Sequence, residues 1–67
     1  MFEIVVELEN RKEYISYYGK WAGVQQVKKI GACADVKSVY LMNTETGEII
    51  IHYENQKCVW VDGIGEL

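Results

Sequence analysis

The sequence contains no proline, one arginine (Arg11), one histidine (His52) and two cysteines, Cys33 and Cys58. Each scarcity removes a class of protein. Without proline, nothing in the composition suggests a linker. Two cysteines with no motif spacing are not the framework of a disulfide-stapled secreted miniprotein. No apolar run exceeds four residues, whereas a membrane-crossing helix needs about 20. The opening Met1-Phe2-Glu3-Ile4 lacks the basic region and long apolar stretch of a signal peptide. These features lead to the expectation of a cytoplasmic protein with reduced thiols and no membrane partner. The net charge is −3, with acids and bases interleaved, so the basic footprint of a general nucleic-acid binder is missing.

What is present is globular in character: 49% hydrophobic, 12% aromatic and 25% charged residues in a chain of 67. A chain this short buries only about 60% of the surface it exposes when unfolded. Such domains commonly gain core from a disulfide, a metal or a second copy of themselves. The expected organisation is one domain over residues 1–62, followed by a tail over 63–67.

Residues 2–8 alternate, with Phe2, Ile4, Val6 and Leu8 on one side and Glu3, Val5 and Glu7 on the other. That period of two predicts a half-buried strand. After the polar break 9–12, the aromatic stretch 13–18 is expected to return as a second strand hairpinned to the first, or to run straight into the helix that follows. Residues 20–31 carry the only helical pattern, with Trp21, Val24, Val27 and Ile30 as its apolar stripe. Lys28 and Lys29 suit the C-terminal end of the helix dipole, Gly31 is a candidate cap, and Gly23 is a candidate for close packing. Three strands of a meander follow at 39–43, 48–53 and 58–61. Gly47 is placed for positive φ in the first turn, and Asn55 for a left-handed conformation in the second. The fold class is therefore α+β, with the order ββαβββ and one helix on one face of a mainly antiparallel sheet.

Alternation divides the meander into two faces. With a four-residue loop at 44–47 and a two-residue loop at 55–56, one face holds Val39, Leu41, Ile50, His52, Val59 and Val61. The other holds Tyr40, Met42, Ile49, Ile51, Tyr53, Cys58 and Trp60. Both are apolar, and one short helix covers only one. The aliphatic face is assigned to the helix. Tyr40, Met42, Ile49, Ile51, Tyr53 and Trp60 are then the candidate interface, since aromatic residues and methionine are enriched at protein interfaces. The expected partner is a second copy, giving a homodimer, or a separate protein target. In the alternative arrangement, the N-terminal hairpin folds over this face and completes a small barrel.

Few residues offer chemistry. His52 has no carboxylate at a motif spacing and is expected to be an ordinary strand histidine at a sheet edge or among aliphatics. Cys33, Cys58 and His52 lack the paired spacing and fourth ligand of a zinc site. Cys58 and His52 point to opposite faces in the register above, so they do not form a thiol nucleophile and its base. Both cysteines are expected to be small buried hydrophobes. Glu3, Glu7 and Glu9 form an acidic, solvated strand face. No catalytic residue, metal or cofactor is assigned. Tyr40, Tyr53 and Trp60 also suit stacking of single-stranded bases, which makes a nucleic-acid-binding module the alternative function.

The short helix leading into Ser38-Val39-Tyr40-Leu41-Met42-Asn43 and the turn Thr46-Gly47-Glu48 resembles small uncharacterised proteins of Gram-positive bacteria and their phages or mobile elements. That resemblance implies an accessory or host-interaction role, including inhibition of a host protein. It transfers no functional residue.

Overall fold

A computed structural model describes residues 1–61; the expected tail over 63–67 lies outside the described residues. The elements are β1 (Phe2–Leu8), β2 (Lys12–Tyr17), α1 (Lys20–Gly31), β3 (Val36–Asn43), β4 (Ile49–Glu54) and β5 (Lys57–Val61). The order is ββαβββ, as expected. The strands form one antiparallel sheet in the order β2-β1-β3-β4-β5. β2 and β3 both flank β1, so α1 crosses over β1 as it carries the chain from one side of that strand to the other. The N-terminal hairpin therefore extends the sheet and does not fold over it, and no barrel forms.

Both hairpin turns of the meander follow from local residue chemistry. Gly47 adopts φ +78°, and Asn55 and Gln56 adopt φ 53° and 67°. Two successive positive φ values make a two-residue hairpin whose twist matches that of its strands. Glu54 and Lys57 pair directly across it.

One face of the sheet packs under α1. Ile4, Val6, Val39, Leu41 and Ile51 form a single buried cluster with Val24 and Val27 of the helix. Side chains of this size contribute about 1.5–3 kcal/mol each when fully buried. The helix approaches closely because two of its residues lack side chains. A Cβ at Gly23 would lie 2.8 Å from Leu41 Cδ1, and one at Gly31 would lie 2.7 Å from Tyr53 Cγ. The packing role expected for Gly23 is thus present. Gly31 has the same role; the cap position falls to Ala32, in ordinary right-handed geometry.

Trp21 departs from expectation, because it is 72% exposed. Helical residues advance about 100° each. Nine residues from Trp21 to Ile30 thus amount to about half a turn beyond whole turns, and the two cannot share a stripe. The core-facing stripe is instead Gly23, Val24, Val27 and Gly31, with Ile30 partly buried beside it.

Three of the four strand pairings contain a register shift: between Glu7 and Leu8, between Leu41 and Met42, and between His52 and Tyr53. In the second, Met42 pairs with Ile49 but Leu41 with Ile51, leaving Ile50 as the extra residue. In the third, Tyr53 pairs with Cys58 but His52 with Trp60, leaving Val59 extra. One inserted residue moves all that follows to the other face. The segment between the two bulges is therefore inverted relative to simple alternation. Ile51, Tyr53 and Cys58 turn to the helix, and His52 turns away from it. The second bulge restores the phase, so Trp60 and Val61 lie where alternation alone would put them.

Candidate functional site

The face opposite α1 is built in rows, because residues paired across an antiparallel ladder share a side of the sheet. Its central row runs Tyr14–Val5–Tyr40–His52–Trp60, one residue from each strand in spatial order. Five strands place its ends about 19 Å apart. On one flank lies Lys12–Glu7–Ser38–Glu54–Lys57, and on the other Ser16–Glu3–Met42–Ile49. An apolar, aromatic band thus crosses the whole sheet, with a polar margin on one flank and, on the other, a margin that turns apolar at Met42 and Ile49. No element among the described residues covers it.

Local contacts hold the band in place. Val5 is only 3% exposed although no helix lies over it; Tyr14 and Tyr40 flank it in the row. The Tyr40 and His52 rings meet edge to face, with centroids 5.6 Å apart and planes inclined at 74°. Such pairs contribute about 0.5–1.5 kcal/mol beyond area burial. The Trp60 indole N–H donates to the Ile49 carbonyl at 3.2 Å, beside the Ile50 bulge. This bond fixes the indole across β4 while leaving Trp60 42% exposed. In the margin, the buried Ser38 hydroxyl donates to a Glu7 carboxylate oxygen at 3.1 Å.

Four of the six candidate interface residues, Tyr40, Met42, Ile49 and Trp60, share this face. Ile51 and Tyr53 do not. Ile51 is fully buried beneath the helix, and the Tyr53 ring fills the space left by Gly31. Burial raises the Tyr53 pKa above the ordinary tyrosine value, with the neighbouring Cys58 side chain acting in the same direction. Tyr14, Val5 and His52 join the face instead. Val5 was visible as the one apolar residue on the strand face that also carries Glu3 and Glu7. His52 was not, because the run Ile49-Ile50-Ile51 carries no alternation that would reveal an inserted residue.

The remaining chemistry-bearing residues are scattered. His52 sits among aromatics on the open face, not among aliphatics. It is separated from Cys58, which packs against the core on the helix side. Cys33 is exposed after the helix, not buried. Glu3 and Glu7 lie on the open face, whereas Glu9 is in the β1–β2 turn. That turn and Asp35 line an open groove of about 510 Å³, together with Arg11 and Lys37. The groove mixes both signs of charge and contains no histidine or cysteine. Among the described residues, no three His, Cys, Asp or Glu side chains converge as a metal site. No helix there is long and apolar enough to cross a membrane.

Comparison with protein-family models, with curated proteins and with solved structures finds no match to this chain.

Proposed function

We propose that this chain is a non-enzymatic interaction protein whose open sheet face binds another protein, either a second copy or a separate target. The observation that carries this reading is the row Tyr14–Val5–Tyr40–His52–Trp60, which no element among the described residues covers. Monomers seldom leave contiguous apolar patches larger than a few hundred Å² exposed without a use for them. Rigid aromatics such as tyrosine and tryptophan are the usual anchors of protein interfaces. The charges on this face favour protein over nucleic acid. Glu3, Glu7 and Glu54 outnumber Lys12 and Lys57, which repels a phosphate backbone. An accessory role in a phage or mobile element is compatible with this reading.

The test compares wild type with Trp60→Ala, which removes the largest exposed anchor. Proteins retained on immobilised wild type and lost on Trp60→Ala, then confirmed as purified partners by calorimetry, are the expected result. Circular dichroism of Trp60→Ala is expected to keep the wild-type spectrum. Equal binding of partners and of self by both proteins would sink the reading. Retention of single-stranded oligonucleotides at low salt, lost in Trp60→Ala, would replace it with the nucleic-acid alternative.

A further inference from the structure

The two edges of the sheet differ in a way the open face does not explain. An edge strand presents unpaired N–H and C=O groups and templates further pairing unless it is short, bulged, charged, covered or broken by proline. β5 is protected: it has five residues, and the Val59 bulge interrupts it. β2 is not. It has six residues, and its pairing with β1 is the one strand pairing in this sheet without a register shift. The chain has no proline to interrupt it.

Apolar exposure also concentrates here. Among the described residues, seven large hydrophobics are exposed, and four of them (Tyr14, Ile15, Tyr18 and Trp21) lie in β2 or the four residues after it. Ile15 lies on the helix side of the sheet, opposite the fully buried Ile4. Tyr14 lies on the open side. Exposed apolar groups therefore flank the free backbone edge above and below.

We infer that β2 is a self-association edge, pairing antiparallel with β2 of a second copy to form a continuous ten-stranded sheet. The charge distribution suits this occupant and sets its orientation. Arg11, Lys12 and Glu13 occupy the N-terminal end, and residues 14–19 carry no charge. A two-fold axis through Tyr14 sets these three charges opposite Tyr17, Ser16 and Ile15. An axis through Ile15 sets them opposite Gly19, Tyr18 and Tyr17. Neither opposes like charges, whereas parallel pairing aligns every charge with itself. A two-fold interface of this kind closes on itself and stops at a dimer. It also puts both open faces on one side of the joined sheet, where they stay free for a separate target. The inference rests on the edge alone and stands or falls independently of the open-face reading.

Sedimentation equilibrium up to millimolar concentration tests the mass, and hydrogen exchange across the same series tests the site. The expected mass is twice the 7.7 kDa of the monomer. Amide exchange in β2 is expected to slow as concentration rises, while exchange in β5 stays constant. Ile15→Lys, which places a charge in the paired edge, is expected to lose the dimer, and Trp60→Ala to retain it. A single mass of 7.7 kDa throughout, or a dimer whose concentration-dependent protection falls elsewhere than β2, overturns the inference. So does an open-ended mass increase, which marks β2-to-β5 stacking. If Ile15→Lys fails to fold, the wild-type exchange series decides alone.

Discussion

Replacing Gly31 with alanine puts a methyl group 2.7 Å from Tyr53 Cγ and Cδ2 and 2.8 Å from its Cβ. Those atoms are at the root of the tyrosine side chain. A rotamer change cannot move Cβ, so either the end of α1 or the β4 backbone must shift. Overpacking of this kind costs about 1–3 kcal/mol. Alanine returns up to about 1 kcal/mol of helix propensity, less at the final helical residue. The expected net loss is about 1–2 kcal/mol, which in a domain of this size lowers Tm by about 5–15 °C. Thermal melts followed by circular dichroism measure it, and a fall in the urea midpoint at constant slope confirms that stability has changed. Gly23→Ala is the comparison. Its Cβ meets the methyl ends of Leu41 at 2.8 and 3.0 Å, and its mid-helix position receives the full propensity gain. The two terms nearly cancel, leaving this variant within about 1 kcal/mol of wild type. If Gly31→Ala is as stable as wild type, Tyr53 does not lie under the helix, and the inversion between the two bulges is wrong.

Two further outcomes follow from local chemistry. Gly19 caps α1 with no side-chain hydrogen bond, no acid occupies the first turn, and its φ of −99° suits any residue. Gly19→Asp is therefore expected to stabilise by about 0.5–1.5 kcal/mol through capping, the helix dipole and a stiffer unfolded chain; an unchanged or lowered urea midpoint would contradict this. Tyr53 has a folded pKa above its unfolded value, chiefly through burial. Its contribution to stability is fully present below about pH 10 and lost as pH rises through the folded pKa. Alkaline titration is expected to show Tyr53 ionising above the ordinary tyrosine value. Tyr53→Phe is expected to lose part of the steep fall in stability above about pH 10, and an identical profile in this variant would show that the group is not linked to folding.

Much of this protein could be read from its residues in order. The alternation of Phe2–Leu8, the helix Lys20–Gly31 and the turns at Gly47 and Asn55 each depend on a few neighbours, and local chemistry suffices to specify them. Counting apolar faces against a single short helix left the second face either open or covered by the N-terminal hairpin. The membership of that face could not be read in this way. Alternation keeps its phase only while the ladder stays regular, and the bulges at Ile50 and Val59 break it on both sides of His52. The placement of β1 between β2 and β3 joins residues far apart in the chain, so only tertiary packing could bring Tyr14 and Val5 into one row with Tyr40, His52 and Trp60. Neighbouring residues specified β1, the helix and the meander, while β2 and the cover of the second face awaited the strand order. Long-range strand order and two inserted residues decided which side chains meet on the open face, because both depend on pairing across the sheet.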